Sequence, residues 1–146
     1  MENVENIKIV LEKTKPKKRI FVNALMAFIT GGVICLDGQI ILEIFINYFK
    51  IDEKTSFTLM YITIILIASI ITALGFFDKL GQIAGAGSYL PITGFANSMT
   101  SAAIESKSEG LIFGILSNML KLAGTVIVAG VVSSFIVSSL LYLVMR

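Results

Sequence analysis

The feature that most constrains the fold of this chain is an uncharged run at residues 56–77. As an α-helix this run would be about 33 Å long, which is enough to cross the hydrocarbon core of a bilayer. Hydrophobic residues make up 55% of the 146 residues and charged residues only 15%, whereas soluble domains carry about 25% charged residues. A soluble fold of this size could not bury so much apolar surface. The sequence therefore predicts an all-α integral membrane protein.

A cluster of basic residues directly precedes the first apolar run. Its members are Lys13, Lys15, Lys17, Lys18 and Arg19. Basic residues beside a first membrane helix stay on the cytoplasmic side, so we predict a cytoplasmic basic arm at residues 1–19 and a single transmembrane helical domain at residues 20–146. The arm is also suited to anionic lipid headgroups. The net charge of +2 is too small to indicate nucleic-acid binding, and the uncharged stretch at 20–36 predicts an uncleaved anchor.

The side-chain inventory excludes several kinds of chemistry. The chain has no histidine, and Cys35 is its one cysteine, which excludes Ser–His and Cys–His dyads, an intramolecular disulfide and a Cys/His zinc site. We predict no cofactor, no metal site and no enzymatic activity, and we interpret Cys35 as a thiol packed in the core. An intramembrane enzyme that uses Asp37 and Glu43 is the weakest of the functional hypotheses, because nothing indicates a substrate.

Residues 20–49 predict two helical pieces, at 20–36 and 38–49, the second of them re-entrant or not, because Asp37 interrupts the apolar run and three glycines favour either a break or a close helix contact. The second piece carries polar side chains at a helical spacing. They are Gln39, Glu43, Asn47 and Lys50. Such a stripe either faces protein or a water-filled cavity inside the membrane, or belongs to an interfacial helix whose polar side faces water. Both interpretations stay open at this point.

The end of the chain also predicts a long helix with an interruption. Residues 111–144 would form a helix about 51 Å long, which exceeds one membrane crossing. We expect a break near Ala123 and Gly124, which leaves a full span at 125–144. Lys121 is the one internal charge, with Asn118 beside it on the helix surface.

Residues 78–110 have a different character, because charges occur only at the two ends and small residues alternate with apolar ones. Irregular backbone of this kind can lie at membrane depth when protein or water satisfies its polar groups. We predict a broken or re-entrant segment, and an amphipathic linker on the membrane surface is the alternative. The whole chain is then a small multi-helix bundle with broken or re-entrant helical segments.

A half-helix that begins near Pro91 inside the membrane would favour an anion, because its free N–H groups and dipole point there. The candidates for a solute pathway or gate are Gly85, Gly87, Ser88, Pro91, Thr93, Asn97, Ser98 and Lys121. The candidates for intramembrane polar or charge-pair roles are Asp37, Gln39, Glu43 and Asn118. Lys121 would either neutralise the solute or form a buried bridge to a carboxylate that holds helices together.

The segment Pro91-Ile92-Thr93-Gly94-Phe95-Ala96-Asn97-Ser98, followed by Ala102-Ala103-Ile104-Glu105 and by Glu109-Gly110, resembles the stage V sporulation protein A (SpoVA) membrane family. The resemblance runs from about Lys17 to the C-terminus. The basic arm and the length are more similar to the AC-type subunits of that family than to the AE-type subunits.

The resemblance implies a multi-pass channel subunit in the inner membrane of the forespore and spore. Such subunits are associated with moving dipicolinic acid and its calcium inward in sporulation and outward in germination, and AC-type members with tension-sensitive opening. The implied partners are an AE-type membrane subunit and a soluble thiolase-like D subunit. The alternative is a non-conducting membrane scaffold that recruits the soluble partner. For the channel, we expect Lys121→Ala or Asn97→Ala to lower dipicolinate accumulation without affecting membrane insertion.

Overall fold

The computed structural model describes residues 19–145, and the regular elements in this part of the chain are helices. The α-helices are α1 (Ile20–Glu43), α2 (Glu53–Ala73), α3 (Phe77–Ala84), α4 (Ala86–Tyr89), α5 (Ile92–Glu105) and α6 (Ser117–Met145). The predicted basic arm falls outside the described residues except for Arg19. Three helical stretches are long and apolar enough to cross a membrane: Ile20–Tyr48, Glu53–Ala73 and Leu111–Met145. The predicted all-α membrane fold is confirmed.

The first span is continuous, and the predicted break at Asp37 and Gly38 is wrong. Helix α1 passes through both residues and continues into a π-helical turn at Ile44–Tyr48. Gly38 is buried against α2, where a Cβ would lie 3.3 Å from Cδ1 of Ile64. The glycine therefore allows two helices to approach closely. An intact helix also satisfies its own backbone groups, which hydrocarbon cannot do.

The last span is continuous as well, so the predicted break near Ala123 and Gly124 is wrong. Helix α6 runs without interruption from Ser117 to Met145. The irregularity lies earlier, in a π-helical turn at Leu111–Leu116. A Cβ on Gly114 would lie 2.2 Å from the Ser106 carbonyl oxygen, so this part of the chain is shaped by close contact with the preceding 3₁₀ turn, Ser106–Glu109.

The middle of the chain is broken into short helices, as predicted. Gly85, at φ 51° and ψ −127°, separates α3 from α4 in a backbone region that glycine adopts most easily. Pro91 separates α4 from α5. The ring centroids of Phe77 and Tyr89 lie 5.8 Å apart, which joins the first part of this segment to the turn before α5. Residues 77–105 therefore form a helical hairpin, and this name is used below.

The hairpin packs against the first two spans. Its α5 arm makes the most extensive contact with α2, and Ala96 of this arm joins Ala68 and Phe77 in the small buried core. Pro91 and Ile92 line one cleft with Gly38 and Ile64, whereas Asn97 contacts Thr72 at the far end of α2. The tip of the hairpin thus reaches the middle of the first two spans, from the end at which α1 begins.

Candidate functional site

A cavity of about 410 Å³ lies between α1, α2 and the hairpin. Its walls are mostly aliphatic side chains of the two spans, with Phe77 and Leu80 from the hairpin. Asp37 on α1 and Thr93 at the start of α5 supply its polar groups. Because Asp37 is exposed, its carboxylate stands at the open rim rather than in the core. This mid-span cavity combines one carboxylate with apolar walls.

Thr93 connects the cavity wall to the turn that precedes α5. Its side chain is 9% exposed, and its hydroxyl donates to the Ser88 carbonyl oxygen at 2.9 Å. The bond satisfies a carbonyl near the end of α4, where the helical pattern of backbone bonds is interrupted before Pro91. Thr93 therefore shapes the cavity by holding the hairpin tip in place.

Three of the predicted pathway residues build the hairpin and seat it on α1. Ser88 is fully buried, and its hydroxyl donates to the Gly85 carbonyl oxygen at 3.2 Å. A Cβ on Gly87 would lie 2.2 Å from the Ala27 carbonyl oxygen. The absence of a side chain at this position brings the hairpin backbone directly against α1.

Asn97 and Ser98 do not line the mid-span cavity. Asn97 is 9% exposed, and its Oδ1 accepts a hydrogen bond from the hydroxyl of Thr72 at 3.1 Å. The Ser98 hydroxyl donates to the Gly94 carbonyl oxygen of its own helix at 3.0 Å. Pro91, in contrast, lines a cleft of about 260 Å³ beside the mid-span cavity, at the hairpin tip.

Lys121 lies in a separate polar pocket of about 440 Å³, at the opposite end of α5 from the hairpin tip. Glu105, Glu109 and Asn118 share this pocket. The Asn118 amide donates to Ser106 Oγ at 2.6 Å, which ties α6 to the 3₁₀ turn. The start of α5 and the Lys121 ammonium are therefore not brought together around one anion.

The carboxylates that sequence analysis paired with Lys121 also lie elsewhere. Asp37 lines the mid-span cavity, and Glu43 lines a shallow pocket on the outer surface of α1. The three charged groups thus line three different pockets, and the structure does not bring Lys121 to either carboxylate.

The polar stripe on α1 is formed by Gln39, Glu43 and Asn47. Gln39 Nε2 donates to one Glu43 carboxylate oxygen at 3.0 Å, and Asn47 Nδ2 donates to the other. All three side chains are exposed. Lys50 leaves the stripe because it lies beyond the helix, with φ 56°. Cys35, predicted to be packed in the core, is exposed as well.

Sequence reasoning missed Thr72 and the two glutamates of the Lys121 pocket. Thr72 stands near the end of an apolar span, and a lone hydroxyl there is usually satisfied by its own helix. Glu105 and Glu109 lie at the charged end of residues 78–110, and the sequence gives no sign that they share a pocket with Lys121, since this arrangement depends on how α5 and α6 pack.

Comparisons with known proteins give the family of the chain. The sequence model described as SpoVAC/SpoVAEB sporulation membrane protein matches residues 23–140. The chain is 49% identical over 138 residues to stage V sporulation protein AC of Bacillus subtilis (strain 168), and this alignment covers 94% of the chain and 92% of the relative. No solved structure matches the chain. Since the matched region includes most of the three spans and the whole hairpin, the chain belongs to the SpoVAC/SpoVAEB family of sporulation membrane proteins.

Proposed function

We propose that this sporulation membrane protein is a channel subunit that passes dipicolinic acid, together with calcium, across the inner membrane of the forespore and spore. The solute would move inward during sporulation and outward during germination. The observation that carries the proposal is the mid-span cavity of about 410 Å³, in which Asp37 and Thr93 stand among apolar walls.

The chemistry of this cavity favours the calcium complex over the free dianion. Dipicolinate is a flat pyridine ring with two carboxylates, and two negative charges would be repelled by the Asp37 carboxylate in surroundings of low dielectric constant. The one-to-one calcium complex is neutral, and Ca²⁺ takes six to eight oxygen ligands, more than one dipicolinate supplies. Asp37 would donate a further oxygen to the calcium while the ring lies against the aliphatic walls.

The hairpin would act as the gate. Its tip, at Pro91, lies in the cleft between α1 and α2, and its seat on α1 is the contact of Gly87 with Ala27. Membrane tension that separates α1 from this seat would withdraw the tip and widen the route. The Lys121 pocket, at the other end of α5, combines one ammonium with the carboxylates of Glu105 and Glu109, so it would favour the calcium complex over free dipicolinate before the solute reaches the cavity. An AE-type membrane subunit and a soluble thiolase-like D subunit would complete the channel.

The test is solute flux from liposomes that contain the full chain and an AE-type subunit. Release of trapped dipicolinate is followed by terbium luminescence, with and without calcium and during osmotic swelling. We expect calcium-dependent release that Asp37→Asn slows about tenfold, equivalent to about 1.4 kcal/mol of lost stabilisation. Asp78→Asn, which changes an exposed carboxylate outside the cavity, should release at the wild-type rate.

Two results would contradict the proposal in different ways. Equal release rates for Asp37→Asn and the wild type would remove the mid-span cavity from the route. No release with or without the AE-type subunit, in liposomes where the chain is inserted, would leave a non-conducting scaffold that recruits the soluble partner.

A further inference from the structure

The polar stripe on α1 (Gln39, Glu43 and Asn47) is unsuited to lipid. The three residues belong to the stretch Ile20–Tyr48, which is long and apolar enough to span the membrane. Their side chains are exposed. Hydrocarbon offers no hydrogen-bond partners, so a carboxylate between two amides belongs against protein or water.

Helix α6 presents a second surface that lacks a partner among residues 19–145, the part of the chain that the structure describes. No residue of Ser117–Met145 is buried. Residues at four-residue spacing give one side of its later half a row of small or hydroxyl-bearing side chains. They are Gly130, Ser134, Ser138 and Tyr142, all exposed. Small residues at this spacing allow membrane helices to approach closely, and hydroxyls can donate across the contact.

Counting residues along the helices from their mutual contacts places the two surfaces at about the same depth. We take Gly38 and Ile64 as one level, since they are in contact, and count 1.5 Å for each helical residue. We also assign equal depth to Thr72 and Asn97, and to Ser106 and Asn118, because the residues of each pair are in contact. These pairs relate depths on α2 to depths on α5 and then on α6. Ser138 then lies about 4 Å, and Tyr142 about 10 Å, beyond the level of Gly38. On α1, Gln39 lies about 2 Å and Glu43 about 8 Å beyond the same level.

The hydrogen-bonding groups of the two surfaces are complementary. A carboxylate has about four acceptor positions, and in the described part of the chain Glu43 uses two of them for Gln39 and Asn47. The serine and tyrosine hydroxyls of α6 supply donors. Both rows repeat every four residues, and rows of this kind interdigitate when two helices pack.

We propose that the α6 row of one copy of this chain packs against the polar stripe of α1 in a second copy. Both helices run in the same direction through the membrane. A rotation about the membrane normal keeps every residue at its depth, so the match within one chain is retained between copies. The contact joins two different surfaces, and repeated contacts of this kind give a ring when the rotation between copies divides a full turn evenly.

The test uses two co-expressed forms of the full chain with different affinity tags. One form retains the native Cys35, which lies one turn before Gln39 and is exposed, so the stripe itself is unchanged. The other carries Cys35→Ala together with Ser134→Cys. The counted depths of Cys35 and Ser134 differ by about 3 Å. We expect oxidation in intact membranes to give a disulfide-linked dimer that carries both tags.

Two matched variants of the second form control for random collision. Ile127→Cys keeps the side of α6 but lies about 10 Å from Ser134 along the helix, and Val132→Cys lies at the counted depth of Cys35 but turns to the opposite side of α6. Since a disulfide does not form between Cα atoms more than about 7 Å apart, each should give about fivefold less linked dimer. In addition, Ser138→Leu should reduce the yield of the disulfide between Cys35 and the cysteine at position 134. The larger leucine side chain would occupy the space on α6 in which the polar stripe of α1 packs.

Three outcomes would overturn the proposal. They are the absence of a two-tag dimer with Ser134→Cys, equal yields from the three positions on α6, and a dominant Cys35 to Cys35 product, which would place two first helices together. Solute flux does not enter the measurement, so the interface and the channel proposal can fail separately.

Discussion

The Thr72 hydroxyl lies 2.7 Å from the Ala68 carbonyl oxygen of its own helix and 3.1 Å from Asn97 Oδ1 of the hairpin. The Thr72 hydroxyl proton is therefore shared between the backbone of α2 and the α5 arm of the hairpin. Asn97 is buried and Thr72 is partly buried where this bond forms, so the bond couples the two elements directly.

We expect the double-mutant cycle of Thr72→Val and Asn97→Ala to give a coupling energy of about 0.5–1.5 kcal/mol. The free energy of unfolding of the two single variants and the double variant in detergent gives this value. The control is a second cycle, of Thr63→Val with Asn97→Ala, because the Thr63 hydroxyl donates at 2.8 Å to the Leu59 carbonyl oxygen of its own helix. Additive effects in the first cycle would show that the bond contributes nothing.

Gly87→Ala should destabilise the protein by about 1–3 kcal/mol, since overpacking displaces backbone. The added methyl would meet the Ala27 carbonyl oxygen, which belongs to a helix and cannot move away alone. Gly32→Ala provides the contrast. Nothing lies within 4 Å of a Cβ at that position. The substitution should therefore stabilise the protein by about 0.4–1 kcal/mol, because alanine lowers the conformational entropy of the unfolded chain. Equal thermal midpoints for the two variants would contradict the close contact.

Asn118→Leu should loosen the pocket that contains Lys121. The substitution removes the 2.6 Å bond to Ser106, whose side chain is buried, at a cost of about 1–3 kcal/mol. Hydrogen exchange should accelerate at the backbone amides of Ser106–Glu109. Thr125→Val should leave that exchange unchanged, because the Thr125 hydroxyl bonds only to carbonyl oxygens of its own helix. Unchanged exchange in Asn118→Leu would count against this link.

The start of the second span should be sensitive to acid. The Asp52 carboxylate accepts a hydrogen bond from the Thr55 N–H at 2.9 Å, and this bond lowers the pKa of Asp52 below its ordinary value of 3.8. A lowered folded pKa means that the stabilisation is fully present above pH 3.8 and is lost as the pH falls through the folded value. Asp52→Asn, which also caps helices well, should lack this acid loss, whereas Asp52→Ala should be destabilised at neutral pH. Thermal midpoints of the wild type, Asp52→Asn and Asp52→Ala, measured as a function of pH, test these expectations.

Much of the fold could be predicted because its signals are local. The uncharged run at 56–77 identifies a span, and Pro91 and the glycines around Gly85 identify interrupted backbone, without reference to any other part of the chain. The glycines of the long helices were ambiguous, however. Gly38 indicated either a helix break or a close helix contact, and it packs against Ile64; only the position of the neighbouring helix distinguishes these two roles.

The candidate site was less predictable for the same reason. Asp37, Thr93 and Asn97 were singled out as unusual side chains in apolar surroundings, but the groups that surround them come from other elements. Thr72 was not foreseen as the partner of Asn97. Lys121 was grouped with the start of α5, yet the packing of α6 along that helix carries it to the opposite end, beside Glu105 and Glu109.

The hairpin tip meets the first two spans near their middles and both of its ends lie on the side where α1 begins, so this segment turns back without completing a passage. If the three long helices are the full crossings, their number is odd. Arg19 and Met145 then emerge on opposite faces of the bilayer, and a protease added to one face of sealed vesicles would remove a tag from only one of these two positions.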